Sequence, residues 1–369
     1  MVASIEEQIK EIEDEIFNTQ KNKATEHHIG KLKAKIARLK VESEKRKSQN
    51  SKGKGFSIKK EGDATVGLVG FPSIGKSTLL NRLTRASSKI GSYDFTTLDA
   101  IPGIMKYKGA DIQMLDLPGL IEGASKGKGR GREVLAAIRN VDLAILMIDA
   151  LHLEHLEVIE RELYGAGLRL NQNIPDIVVA KKTQGGLAVN STVKLTHLDE
   201  DLIKSIASEF IINADIIVRQ DITEDQLIDV FSKNKIYVPA MVIINKKDLV
   251  DDHMLRNTLN KLKQKNLDVL TISAKSGEGI DQLKEEIFSR LKLIRIFMKP
   301  VGKKADFNEP LILRKGAKVE DACRKLHRDF LRKFRYASVS GPSAKHDVQK
   351  VGLEHILADE DILTIVTWH

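Results

Sequence analysis

The stretch Gly70-Phe71-Pro72-Ser73-Ile74-Gly75-Lys76-Ser77 fits the spacing G-x-x-x-x-G-K-S of a phosphate-binding loop. Thr65 to Val69 ahead of it is β-branched and apolar. Thr78-Leu79-Leu80-Asn81-Arg82-Leu83 behind it has helical spacing. The loop therefore falls between a strand and a helix, the setting this motif needs. Gly70 and Gly75 let the backbone curl until successive N–H groups face inward, and the helix adds the positive end of its dipole. Lys76 would reach the outer phosphates and Ser77 would hold Mg²⁺. A glycine turn carrying a lysine by chance rarely matches every fixed position in this order, so Gly70 through Thr78 are the expected phosphate contacts.

Further motifs follow at useful distances. Tyr93 to Leu98 includes Thr96 and Thr97, where a threonine can swing onto Mg²⁺ and the terminal phosphate. Ile101 to Tyr107 and Asp111 to Leu115 flank Lys108-Gly109-Ala110 and suggest an antiparallel hairpin. It delivers Asp116-Leu117-Pro118-Gly119, with Asp116 placed for the Mg²⁺ shell and the Gly119 N–H for sensing a γ-phosphate. Gly123 to Arg132 alternates glycines with Lys126, Lys128, Arg130 and Arg132. Its composition suits a loop ordered by γ-phosphate, with charges that meet RNA phosphate or only keep the loop solvated.

Val141 to Ala150 and Pro239 to Ile244 read as buried parallel strands. The second ends in Asn245-Lys246-Lys247-Asp248. A carboxylate at Asp248 accepts from both the ring N–H and the exocyclic amine of guanine, a donor pair that adenine lacks. Such charge-assisted bonds contribute roughly 1.5–3 kcal/mol each. Asn245 would brace the loops, and the Lys246 stem would lie over the base. Ser273-Ala274-Lys275, after a strand from Asp268 to Ile272, would offer a backbone N–H to the base carbonyl. An ATPase sharing the phosphate loop is opposed by Asn245 to Asp248.

The motifs define an α/β nucleotide domain with a mostly parallel sheet over residues 61–293. A small α/β insertion at about 170–235 carries an apparent hairpin, Ile177 to Ala180 with Leu187 to Val189, a helix from Leu202 to Phe210, and a helix capped by Thr223 with Gln226. Ahead of this domain, residues 1–60 form a helical hairpin and basic linker. Ile5, Ile9, Ile12 and Ile16 are answered by Ile29, Leu32, Ile36 and Leu39, the spacing of amphipathic helices. Lys31, Lys33, Lys35, Arg38 and Lys40 suit either RNA phosphates or a solvated face packed on a partner helix. After it, residues 294–369 read as a basic β-grasp module, with one helix from Val319 to Phe334 and basic residues from Lys315 to Lys350. Its charge suits RNA or ribosome contact, or plain solubility. His152 and His155 are expected to be a solvated helix turn, with no third metal ligand evident.

Lys and Arg number 60 against 51 Asp and Glu across 369 residues, a net +9 that suits an anionic partner or a soluble surface. The lone Cys323 excludes an internal disulfide and reads as core. No apolar run approaches the roughly 18–20 residues that span a bilayer, so no membrane contact and a cytoplasmic location are expected.

Gly70 to Ser77, Phe95-Thr96-Thr97-Leu98, Asp116 to Ala124, the Gly-Lys-Gly-Arg-Gly stretch, Asn245 to Asp248 and the C-terminal module together resemble the developmentally regulated GTP-binding proteins of the Obg group. The resemblance covers nearly the whole chain and implies a P-loop GTPase with a C-terminal TGS domain. It implies GTP and GDP as ligands, Mg²⁺ dependence and work with ribosomes or RNA rather than DNA, with a stimulating protein partner known in eukaryotic members. Lys76, Thr97 and Gly119 become the catalytic set, and Ser77, Thr97 and Asp116 the metal set. Leu120 stands where many related switches place a water-orienting glutamine, so intrinsic turnover should be slow. Ser73 stands where several potassium-activated GTPases use asparagine, which leaves K⁺ dependence open. The other reading is an RNA-binding assembly factor that uses GTP only structurally. Asp248→Asn should shift preference from guanine to xanthine nucleotides in competition against a fluorescent guanine nucleotide; an unchanged preference would count against the base assignment.

Overall fold

The computed structural model describes residues 4–20, 22, 25–50, 61–84, 102–117, 138, 141–251 and 268–368. The described parts of Phe56–Ala166 and Val238–His369 form one compact unit, and those of Met1–Gly55 and Gly167–Tyr237 form another. Among the described residues no helix is long and apolar enough to cross a membrane.

In the first of these units the nucleotide sheet is built from β1 (Ala64–Val69), β2 (Pro102–Tyr107), β3 (Ala110–Asp116), β4 (Leu143–Asp149), β5 (Ala240–Asn245) and β6 (Val269–Thr271), in the order β6-β5-β4-β1-β3-β2. Only β2 runs antiparallel. β1, β4 and β5 are buried along their whole length, as their unbroken apolar runs require of parallel strands covered on both faces. Helices α1 (Lys76–Thr84), α2 (His155–Gly165) and α3 (Ile280–Arg290) supply the cover, with Leu79, Leu83, Leu283 and Ile287 in the core. The chain leaves β1 for β3 on one side and returns to β4 on the other. That reversal opens a crevice at the carboxyl ends of the strands.

The β2–β3 turn is the expected hairpin. Lys108 and Gly109 both have positive φ, 49° and 81°, as a two-residue turn matched to strand twist demands. Gly109 is doubly constrained, since a Cβ there would lie 2.4 Å from Pro310 Cγ.

The C-terminal sheet contains β7 (Leu293–Met298), β8 (Leu311–Arg314), β9 (Phe334–Ser340), β10 (Gln349–Val351) and β11 (Asp361–Thr367), in the order β8-β7-β11-β9-β10. Its core joins Ile294, Ile296, Val339 and Leu363 to Val319, Ala322 and Cys323 of α4 (Val319–Leu326). Cys323 is buried, and burial pushes its thiol up to about 11, which leaves it unreactive near neutrality. Leu293 and Ile312 belong instead to the nucleotide-domain core. Arg314 pairs with Asp142 at 2.6 Å and Lys325 with Asp63 at 2.5 Å. The single helix expected from Val319 to Phe334 is broken. His327 is extended (φ −168°, ψ 148°) and accepts the Asp329 N–H, starting α5 (Arg328–Arg332). The break turns Phe330 and Leu331 onto the sheet core.

In the other unit, helices Ile5–Asn18 and Glu26–Asn50 pair through Ile5, Ile9, Ile12 and Ile16 against Leu32, Ile36 and Leu39. The second helix also lends Ala34 and Ala37 to the core of the insertion. Lys33 pairs with Glu224 at 3.0 Å and Arg38 with Glu209 at 3.3 Å, so part of the basic array serves this docking. Strands Ile177–Lys181 and Leu187–Ser191 do not form the expected hairpin. Ala214–Val218 lies between them, antiparallel to the first and parallel to the second. The connecting loop straddles Asn213, whose side chain donates to Thr183 O at 3.2 Å and accepts from the Gly186 N–H at 2.9 Å. The Thr223–Gln226 capping box forms as read, and Asp199 caps the preceding helix at Glu200–Ser208.

Arg169 and Asp229 make a two-pronged ion pair at 2.5 and 2.8 Å, with side chains 5% and 4% exposed. Asp229→Ala would strand a buried guanidinium and should cost about 3–5 kcal/mol, read as a lower urea midpoint. A shift under about 1 kcal/mol would contradict that reading.

Candidate nucleotide site

The site lies at the carboxyl ends of β1, β3, β4 and β5. After Val69 the chain must turn under severe crowding: a Cβ at Gly70 would lie 2.5 Å from Met147 O, and one at Gly75, whose φ is 97°, would lie 2.6 Å from Asn245 Nδ2. Space excludes a side chain at both places, and at Gly75 the backbone angle favours glycine as well. Ser73 also takes a positive φ of 60°. The loop closes on α1, whose first residue is Lys76.

Lys76 is buried, and its ammonium donates to Gly70 O and Phe71 O, both at 3.0 Å. Burial holds its pKa below the ordinary lysine value, against the opposing pull of Asp116. Ser77 Oγ donates to Asp116 Oδ2 at 3.2 Å, whereas Asp116 Oδ1 is buried without a hydrogen-bond partner. Burial pushes the Asp116 carboxyl above its ordinary range, opposed by Lys76 and Ser77. An unmet carboxylate oxygen beside a hydroxyl is a donor set that fits a small hard cation.

Asn245 holds the two halves together. Its Nδ2 donates to Ile74 O at 2.7 Å, and its Oδ1 accepts the Ala274 N–H at 2.9 Å. Of the backbone N–H groups from Ser273 to Lys275 that the sequence offered to a base carbonyl, that of Ala274 is engaged by this brace. Lys246 has φ 62°, and its ammonium meets Asp149 Oδ2 at 2.6 Å. Asp248 is exposed on a short 3-10 turn and accepts from Ser273 Oγ at 2.5 Å, a bond that holds its carboxyl below the usual range.

Two supports did not stand out in the sequence. Arg82, on α1, donates through Nε to Ala274 O at 2.8 Å and through its terminal nitrogen to Lys275 O. Gly277 makes room for it, since a Cβ there would lie 2.7 Å from an Arg82 nitrogen. Asp149 ends β4 directly opposite Asn245. Burial would raise its carboxyl, but the Leu151 N–H and Lys246 outweigh burial and hold it low. A charge closing an all-apolar strand was a visible signal for Asp149; nothing local marked Arg82.

His152 and His155 are not the plain solvated turn expected. The His155 ring stacks on Phe71 with centroids 4.1 Å apart, and its Nδ1 is buried without a partner. Glu154 brings a carboxylate oxygen to 3.2 Å from His152 Nδ1. Thr96, Thr97, Gly119, Leu120 and Gly123 to Arg132 lie outside the described residues.

A phosphate loop that carries a buried lysine and a serine, tied by one buried amide to the loop from Ser273 to Lys275, is the apparatus of a P-loop GTPase. A family model described as a 50S ribosome-binding GTPase matches residues 65–182, a model of the C-terminal region of that domain matches 184–293, and a TGS domain model matches 294–367. An uncharacterized GTP-binding protein of Methanocaldococcus jannaschii is 54% identical over 366 residues, covering 99% of this chain and 93% of its own. The developmentally-regulated GTP-binding protein 1 homolog of Dictyostelium discoideum is 47% identical over 372 residues, covering 98% and 99%. Human developmentally-regulated GTP-binding protein 2 is 46% identical over 363 residues, covering 98% of each. A solved GTP-binding protein of Pyrococcus horikoshii OT3 aligns over 82% of this chain and 100% of its own, at 18% identity and TM-score 0.48. The chain belongs to the developmentally regulated GTP-binding protein family.

Arg82→Ala removes two bonds from a charged donor to the Ser273 to Lys275 loop. GDP affinity, measured with a fluorescent analogue, should fall about 10- to 100-fold with the triphosphate contacts intact. An unchanged affinity would remove Arg82 from the site.

Proposed function

We propose that this GTPase is a magnesium-dependent switch that works with ribosomes or RNA in translation. The observation that carries the magnesium dependence is the bare, buried Asp116 Oδ1 beside Ser77 Oγ. Ser77 and Asp116, with Thr97 expected from the sequence, would hold Mg²⁺, which supplies charge neutralisation for the phosphates when bound. The lysine is already positioned: its ammonium would exchange the Gly70 and Phe71 carbonyls for the oxygens of the outer phosphates. Asp248, oriented by Ser273, would accept the guanine ring N–H and exocyclic amine. Hydrolysis is in-line attack of water on the γ-phosphorus, with the bond to the β-phosphate oxygen breaking to release GDP and phosphate, and the water proton leaving to phosphate or solvent.

Because Leu120 gives attacking water no hydrogen-bond partner, the isolated chain should turn over slowly, on the order of 10⁻⁴ to 10⁻² per second. Acceleration would come from a stimulating protein, RNA or K⁺ near Ser73. The ribosome reading draws on the description of the matching GTPase model and on the net +9 charge. It implies a cytoplasmic place of work and no role for DNA.

The test is turnover and co-sedimentation with ribosomes, using the full chain loaded with GDP or with a non-hydrolysable GTP analogue. Removing residues from Ile294 onward would be a poor test, since Ile312 of that segment lies in the nucleotide-domain core. Salt-sensitive pelleting that differs between the two nucleotides is expected. Isolated turnover above about one per second would refute the slow switch, and absence of pelleting with either nucleotide would refute the ribosome association.

A further inference from the structure

The sequence pools the basic residues of the C-terminal module, but the structure sorts them. Lys318 pairs with Glu354, Arg324 with Glu320, Lys325 with Asp63 and Arg314 with Asp142. These cations are already neutralised. Arg335 and Lys350 are in no ion pair among the described residues; both are exposed and both lie against aromatic rings.

Strand alternation explains how they meet. In β9, Ala337 and Val339 point into the core with α4, so Tyr336 and Ser338 stand on the opposite face of the sheet. Lys350 of β10 is the direct partner of Ser338, which makes it a diagonal neighbour of Tyr336 on that face. Its ammonium sits 4.0 Å from the Tyr336 ring centroid. Arg335 falls at the irregularity between Phe334 and Tyr336, where the ladder skips a residue. A bulge re-aims a side chain, and the Arg335 guanidinium lies 5.8 Å from the Tyr336 ring and 4.4 Å from that of Trp368. Trp368 is anchored by its N–H to Lys333 O, yet remains 57% exposed. The result is an alternating row of cation, ring, cation and ring: Lys350, Tyr336, Arg335, Trp368.

We propose that this row is a platform for single-stranded RNA, with bases stacking on Tyr336 and Trp368 and phosphates meeting Arg335 and Lys350. It rests on the reading of the chain as a GTPase that works with ribosomes or RNA, and names where the strand lies. Flat rings separated by unpaired cations suit an unpaired strand, whose bases expose their faces while its backbone stays charged. A duplex hides those faces in its own stack.

Trp368 is the only tryptophan in the chain, so its emission reports on this row alone. Full-length protein would be titrated with a short fluorescein-labelled oligoadenylate, following RNA anisotropy and tryptophan emission in parallel. Saturable quenching is expected to track the anisotropy. Tyr336→Ala and Trp368→Ala should each weaken binding roughly 5- to 100-fold, while Trp368→Phe should restore it. Arg335→Glu with Lys350→Glu should flatten the dependence of affinity on salt. Unchanged GDP binding would show that each variant is folded. RNA bound with no change in emission, and equally by Tyr336→Ala, would overturn the platform and leave the RNA reading standing. No RNA bound at all would overturn the platform, while ribosome pelleting separately decides the reading on which it rests.

Discussion

The side-chain amide of Asn245 is the joint on which the nucleotide site depends. It is 3% exposed, and a primary amide so deeply buried is costly unless its groups are bonded. Here the amine end satisfies Ile74 O and the carbonyl end satisfies the Ala274 N–H. A carboxylate could not donate to the first, and an aliphatic side chain could serve neither. One residue thus fixes the phosphate loop and the base loop in mutual register, and the absence of a side chain at Gly75 leaves the space in which it does so.

Around that joint the charges are arranged unequally. At the base end, each named charge is matched within the protein: Lys246 by Asp149, and Asp248 by the hydroxyl of Ser273. At the phosphate end, Lys76 is buried on main-chain carbonyls and Asp116 keeps an unmet oxygen. Desolvation weakens the charged form of both groups. The loop around Asp248 is therefore matched internally, while the phosphate loop gathers two groups whose charged forms burial disfavours.

Gly70 to Ser77 and Asn245 to Asp248 were legible because their geometry is local: positive φ, a helix start and a strand end are written in neighbouring residues. The buried strands were legible for the same reason, through unbroken apolar runs. Arg82 was not, because its partners lie across the fold and its neighbours on α1 say nothing of them. The false hairpin of the insertion shares that cause, since the strand that separates its two arms, Ala214–Val218, comes later in the chain. The break at His327 was hidden by an apolar stripe that continues in spacing while changing direction. Thr97 and Gly119, drawn from motif order, fall outside the described residues.

The docking of the N-terminal helices onto the insertion also sets an order on assembly. Ala34 and Ala37 share a core with residues as distant as Ile228, so the second helix cannot complete its burial until that later part of the chain has been made. Its apolar edge must wait exposed until then. Contacts of such long sequence separation form late because loop closure must be met before they bring any gain. In this molecule the seat of the second helix is built from residues far along the chain.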